Sequence, residues 1–181
     1  EDNKKDKAIA LLVDSIKEIC KYAQDQDENL QVVLEVFDDE VDKKALVGPA
    51  STAAVVEERV KKSYNNFGLL VDLSHLPLLG ETPVQAIRPI KEHLVHVHIG
   101  NGVIDENSPL YGDNHPRFGV PAGENDVAEV VEFLKYLMEI GYLDGKESKT
   151  VSFEVKPLEN ESSEVVMANS KRVLKKAWAK L

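Results

Sequence analysis

Phe67-Gly68-Leu69-Leu70-Val71-Asp72 and, after a break, Leu94-Val95-His96-Val97-His98-Ile99 are the stretches that decide the fold. Each is a short apolar run of strand length. Between them, Thr82 to Glu92 has helical spacing, with Pro83 suited to the first turn. Strand, helix, strand in this order predicts a right-handed crossover and a parallel pair.

The same alternation extends both ways. Toward the N-terminus lie a helix over Ser51–Tyr64, opened by Gly48-Pro49 with Ser51 or Thr52 as cap, and a strand over Gln31–Phe37, β-branched and nearly continuously apolar as a strand buried on both faces should be. Before them a helix over Lys7–Ala23 places Ile9, Leu12, Val13, Ile16, Ile19 and Cys20 on one face. Toward the C-terminus come a long loop over Gly100–Gly123, a helix over Asn125–Ile140, a strand over Thr150–Val155 and a helix over Ser162–Ala179. The order α-β-α-β-α-β-α-β-α makes this an α/β chain with a parallel sheet covered by helices. Four strands suit either a small flavodoxin-like sheet or half of a (β/α)8 barrel. No repeat or low-complexity linker interrupts residues 1–181, which read as one domain. Typical βα connections run about 2–6 residues, so the Gly100–Gly123 loop is several times longer than its position requires, and loops of that length are usually functional.

With 181 residues, 43% hydrophobic and 30% charged, the chain can bury one substantial core. Its 22 Lys+Arg against 32 Asp+Glu leave a formal net charge of -10, which repels a phosphate backbone, and no basic run offsets it. Nucleic acid and membrane are therefore not expected partners. A single cysteine, Cys20, cannot form an internal disulfide and sits in a helical apolar pattern, where it packs as a small hydrophobe. With no apolar run long enough to span a bilayer and no sign of an oxidising compartment, the chain reads as cytoplasmic.

Each predicted strand carries a metal-competent side chain at or near its C-terminal end: Glu35, Asp72, His96 with His98, and Glu154. In parallel α/β folds ligands gather at those ends. Any one such Glu or Asp reads equally as a cap or surface group; the set carries the argument. Three carboxylates and an imidazole brought together repel and desolvate badly without a cation, so a divalent ion is expected, and oxygen with nitrogen ligands suits manganese, cobalt, zinc or magnesium. His96 and His98 share a strand face, so one can bind metal while the other supports it or packs in the core. His93, just before the strand, reads as solvated.

Val71-Asp72-Leu73-Ser74-His75, His96-Val97-His98-Ile99 and Ser152-Phe153-Glu154-Val155 resemble the sixth, seventh and eighth strands of ketose 3-epimerases and related xylose-isomerase-like barrels, and Leu34-Glu35 resembles the fifth. The resemblance implies the C-terminal half, strands 5 to 8, of a (β/α)8 TIM barrel. It implies Glu35, Asp72, His98 and Glu154 as ligands of one divalent cation. It also implies a sugar isomerase or epimerase in which Glu35 and Glu154 remove and return a proton next to a carbonyl, through a cis-enediolate. His75 matches a histidine that contacts substrate oxygen, and reads otherwise as a loop histidine capping a strand end. His96 and Arg117 complete the substrate-contact candidates. The epimerases carry an arginine shortly after the seventh-strand histidine; here that place reads Gly100-Asn101-Gly102-Val103-Ile104, and the next arginine is Arg117.

Asp113-Asn114-His115-Pro116-Arg117-Phe118-Gly119 is similar instead to the Asp-x-His…Gly loop of other members, endonuclease IV among them. That likeness implies a second metal position at His75, Asp113 and His115; read by itself, the loop's Asp, Asn and Pro simply make turns. The competing functions are a sugar or polyol isomerase/epimerase, a zinc phosphodiesterase of the endonuclease IV type, and a non-catalytic barrel fragment. The acidic balance favours the first over the second. Half a barrel exposes two strand edges, so the other strands are expected on a missing N-terminal segment, a partner chain, or a second copy in a homo-oligomer.

Overall fold

The computed structural model describes residues 2–146 and 149–181. In chain order the elements are α1 (Asp2–Gln26), β1 (Val32–Val36), α2 (Ala50–Lys61), β2 (Phe67–Asp72), α3 (His75–Leu79), α4 (Pro83–Ile87) running into a 3-10 turn (Arg88–His93), β3 (Leu94–Gly100), α5 (Val127–Glu139), β4 (Thr150–Glu154) and α6 (Ser163–Trp178).

All strands are parallel, in the order β1-β2-β3-β4. This separates the two architectures the sequence leaves open. A flavodoxin-like sheet reverses its strand order at a switch point, whereas here each strand is laid beside its predecessor in one direction, as around a barrel. The main helices follow the same progression, α1 against α2, α2 against α4, α4 against α5 and α5 against α6. Val36, Phe67, Leu69, Val71, Val97 and Ile99 face those helices and form one core with Ile9, Val56, Ile87 and Phe133. By the two-residue alternation of a strand, Glu35, Leu70, Asp72, His96, His98, Ser152 and Glu154 share the opposite, inner face.

The central strand β2 is buried along its whole length. The expectation that Gln31–Phe37 is buried on both faces is corrected: β1 pairs on one side only among the described residues, its inner face is uncovered, and Val33 is 40% exposed. Between β2 and β3 the register shifts at Leu69/Leu70. A Cβ on Gly68 would lie 2.6 Å from both Val95 methyls, so the glycine admits Val95 over the strand.

Local chemistry explains other departures. The helix expected over Thr82–Glu92 is one turn of α-helix, closed at its start by a Thr82–Gln85 capping box, that tightens to 3-10 from Arg88. Pro89 has no N–H to continue the α pattern, and its ring crowds the carbonyl four residues back. Neither Ser51 nor Thr52 caps α2. Pro49 is the N-cap, its carbonyl accepts the N–H of Thr52 at 2.9 Å, and the Glu81 carboxylate accepts the N–H of Ala50 at 3.3 Å. A short helix, α3, fills part of what reads as loop and ends at Gly80 in the left-handed conformation. His93 is not simply solvated, since its Nε2 lies 3.0 Å from the Glu57 carboxylate. Cys20 is buried in the core. Among the described residues no helix is long and apolar enough to cross a membrane.

Candidate metal centre

The parallel order brings the C-terminal ends of all four strands to one end of the sheet. There Glu35, Asp72, His98 and Glu154 each place one ligand-competent atom within 4.8 Å of the others. His98 Nδ1 lies 3.7 Å from Glu35 Oε1 and 3.6 Å from Asp72 Oδ2, and touches Glu154 Oε2. Asp72 is fully buried, and its Oδ1 accepts the Ser74 N–H at 2.6 Å, which leaves Oδ2 for the centre. Glu35 Oε1, Asp72 Oδ2, His98 Nδ1 and Glu154 Oε2 are all buried and lack a hydrogen-bond partner. Buried polar atoms are ordinarily paired, so four orphans at one point mark a place for a further group.

A second group adjoins the first. Asp72, His75 and His115 also bring ligand atoms within 4.8 Å of one another. His75 opens α3, and its Nδ1 donates to the Val36 carbonyl at 2.8 Å. A carbonyl only accepts, so Nδ1 carries hydrogen and Nε2 is the atom turned to the centre, the arrangement found where histidine binds metal. His115 comes from the long loop in a left-handed backbone conformation, φ 47°, and its carbonyl accepts the Lys156 N–H at 2.7 Å, just past β4. Asp113 Oδ1 lies between the two rings, 3.2 Å from His75 Nε2 and 2.8 Å from His115 Nε2. The structure thus gathers His75, Asp113 and His115, but the trio within reach of one ion has Asp72 where the sequence points to Asp113.

Space is provided as well as ligands. A Cβ on Gly100 would lie 2.7 Å from the Glu154 carbonyl, 3.1 Å from Asp72 Oδ1 and 3.2 Å from His115 Nδ1. Any other residue there would fill the room between the two groups.

Electrostatics points the same way. Burial opposes ionisation of Asp72, but the His98, His75 and His115 imidazoles and the Ser74 N–H together hold its carboxyl below the usual carboxylate range. The Asp72 and Glu35 carboxylates raise His98 to about 10. Burial works to lower His75, yet Asp113 and Asp72 raise it to about 9. Burial and the nearby Asp72 push Glu154 up. Carboxylates outnumber imidazoles, and the raised histidines show a site that draws positive charge from whatever supplies it.

Two substrate-contact candidates stand apart. His96 Nε2 pairs with Ser152 Oγ at 2.5 Å, and its ring meets His98 edge-on at a centroid distance of 4.8 Å, so it buttresses a cluster residue without entering either group. Arg117 is bound to Glu161 and to the Phe118 carbonyl. Its guanidinium makes no ion pair with a carboxylate of the centre among the described residues.

Several contributors carry no motif. Asn125, buried, donates to the Leu73 carbonyl at 3.0 Å and the Gly100 carbonyl at 3.1 Å, and its N–H donates to Asn101 Oδ1 at 2.8 Å, clamping the long loop to the ends of β2 and β3. Asp42 and Lys43, in the loop after β1, dock onto Asp113, and Asp38 shapes that loop from within. In sequence they look like part of a solvated charge run, and no signal distinguishes them.

The family described as xylose isomerase-like TIM barrel matches residues 1–176. No curated protein matches the chain. Similar solved structures include a 3-keto-D-glucoside 4-epimerase, YcjR, from E. coli in its apo form, at TM-score 0.65 and 16% identity over 94% of this chain and 55% of that one. A D-psicose 3-epimerase with D-tagatose from Clostridium cellulolyticum H10 is similar at TM-score 0.55 and 20% identity, over 92% of this chain and 52% of that one. An IOLI protein with a binding zinc atom is similar at TM-score 0.59 and 19% identity, over 97% of this chain and 55% of that one. At such identities the likeness is one of fold, and the chain spans about half the length of each of these structures.

Proposed function

We propose that this chain, which belongs to the xylose isomerase-like TIM barrel family, holds a divalent cation at Glu35, Asp72, His98 and Glu154 and contributes that centre to a sugar isomerase or epimerase. The observation that carries the proposal is the convergence of four buried ligand atoms that make no hydrogen bond, one from the end of each strand. Manganese, cobalt, zinc or magnesium fits the oxygen and nitrogen donors; the zinc in the IOLI structure belongs to a protein of the same fold. When bound, the ion would polarise a substrate carbonyl and its neighbouring hydroxyl. Glu35 and Glu154 stand on the first and last strands of the row, on either side of Asp72 and His98. From there one carboxylate removes the proton next to the carbonyl and the other returns it, the two-sided exchange an epimerisation needs. His75 and His96 would meet the substrate's hydroxyls, and a keto-sugar or polyol is the substrate class.

A second reading, a two-metal phosphodiesterase of the endonuclease IV type, draws on the buried His75 Nε2, Asp113 Oδ1 and His115 Nδ1, which make no hydrogen bond. The net charge of -10 weighs against a polyanionic substrate. In either reading a further set of βα units lies against the open edges of β1 and β4, in the same polypeptide, a partner chain or a second copy.

Elemental analysis of the purified chain beside Glu154→Gln and His98→Ala tests the centre, and solvent deuterium uptake at the carbon next to the carbonyl of D-fructose or D-tagatose tests the chemistry. One equivalent of metal, lost in both variants, is expected. Equal metal content in all three would sink the proposed centre.

The affinity has a predicted pH dependence. In the metal-free chain His98 titrates at about 10, so at neutral pH it carries a proton that the entering ion must displace. Affinity therefore rises with pH and levels off above that value, by about tenfold per pH unit for each proton released. Calorimetric titrations at pH 6, 7 and 8 in buffers of different ionisation enthalpy count those protons. An affinity independent of pH over that range would remove His98 from the ligand set.

A further inference from the structure

The loop after β1 reaches the centre from outside the four strands. Its shape is set from within: Asp38 is 1% exposed, and its carboxylate accepts the N–H groups of Val41 at 2.7 Å, Asp42 at 2.8 Å and Lys43 at 2.8 Å. Asp42 Oδ2 then accepts the N–H of Asp113 at 3.0 Å. The Lys43 ammonium lies 3.2 Å from Asp42 Oδ2 and 3.3 Å from Asp113 Oδ2. Asp113 is consequently held on both sides, with the ammonium at Oδ2 and the His75 and His115 rings at Oδ1.

We infer that Lys43 determines how many divalent ions the centre takes, by placing a fixed positive charge on Asp113 where a second ion would otherwise be drawn in beside Asp72, His75 and His115. The inference rests on the metal reading above and deepens it. A second ion there needs negative charge to offset its own, and Asp113 is the carboxylate that adjoins both of that group's histidines. With Lys43 in place that charge is already balanced, and the ammonium and the ion repel each other. Glu35, Asp72, His98 and Glu154 make no contact with Lys43 among the described residues, so the first ion is held independently of it. The lysine is a device for keeping the site mononuclear.

Because the lysine side chain is 44% exposed, solvent screens part of its charge. Its removal should tighten a second ion by about tenfold to a hundredfold, less than an unscreened charge would give. The test is a zinc titration of the metal-stripped chain by calorimetry with a competing chelator, on wild type, Lys43→Met, Lys43→Gln and Lys43→Arg, with circular dichroism reporting the fold.

Wild type is expected to bind one ion tightly and a second at least about tenfold more weakly than either neutral variant does, with first-site affinity within about threefold in every protein. Lys43→Arg keeps the charge and should track wild type. Equal second-ion affinity in wild type, Lys43→Met and Lys43→Gln overturns the inference while leaving the metal centre standing. A first ion weakened in parallel with the second, in folded variants, overturns it too, because the lysine is then merely supporting the whole centre. Absence of zinc binding in wild type overturns both this inference and the metal reading beneath it.

Discussion

Asp72→Asn should weaken divalent-ion binding by about two to four orders of magnitude, the largest loss expected from a single change in this centre. Asp72 is the one residue common to both ligand groups and is fully buried at the end of the most enclosed strand. The isosteric amide preserves the acceptor for the Ser74 N–H, now made at 2.6 Å, so the turn into α3 keeps its local bond. What changes is Oδ2. An amide nitrogen there has no lone pair for a cation, and it presents hydrogens toward His98 Nδ1 at 3.6 Å and His115 Nδ1 at 3.9 Å.

Removing one member of a buried charged set costs about 3–5 kcal/mol, and 1.36 kcal/mol is a factor of ten. Glu154→Gln should cost less, because that side chain is 38% exposed and water can take part of the ligand's place. Competition against a chelator of known affinity measures both. If Asp72→Asn binds within tenfold of wild type, the ion does not sit where the four strand ends meet.

The strands themselves, and the charged side chains at their ends, were legible in sequence for one physical reason. A parallel strand buried against helices needs an apolar run, so a charged residue at its end stands out, as Asp72 does after Phe67–Val71 and Glu154 does after Val151-Ser152-Phe153. Elements that depend on distant partners were not legible. The cap of α2 is shared with Glu81, thirty-one residues away, and propensity alone would choose Ser51 or Thr52. The break of the Thr82–Glu92 helix was legible in principle, because Pro89 forbids continuation, but a helical apolar spacing ran through it. Arg117 shows another partner that position does not reveal, since its guanidinium is bound by Glu161, forty-four residues away. Nothing in Asp38-Asp39-Glu40-Val41-Asp42-Lys43 shows that the run folds inward, since that depends on three backbone N–H groups turning to one carboxylate.

That carboxylate is where the second large effect is expected: Asp38→Ala should destabilise the chain by about 3 kcal/mol and release Asp113 from the loop. Asp38 accepts from Val41, Asp42 and Lys43 at 2.7–2.8 Å while its own carbonyl accepts the Ala45 N–H at 2.8 Å. Hydrogen bonds to a charged group are worth about 1.5–3 kcal/mol each. Asp42 and Lys43 are half-exposed, so water recovers part of the loss and the full sum is not reached. For a chain of this size the cost corresponds to a melting temperature lower by roughly 6–12 °C.

The effect also has a pH signature. Burial opposes ionisation of Asp38, but the N–H groups of Lys43, Asp42 and Val41 outweigh it and hold the carboxyl below its usual value. A depressed pKa means the contribution is complete above the unfolded value, near 3.9, and disappears as pH falls through the folded one. The gap in stability between wild type and Asp38→Ala should therefore be constant at neutral pH and close in acid. Because Asp42 and Lys43 reach Asp113 only while this turn is fixed, the variant should also behave toward zinc as Lys43→Met does, with a tighter second ion. A melting temperature unchanged by the substitution would show that the loop holds its shape without Asp38. Unchanged second-ion affinity in a destabilised variant would show that the loop steadies the fold without governing the centre.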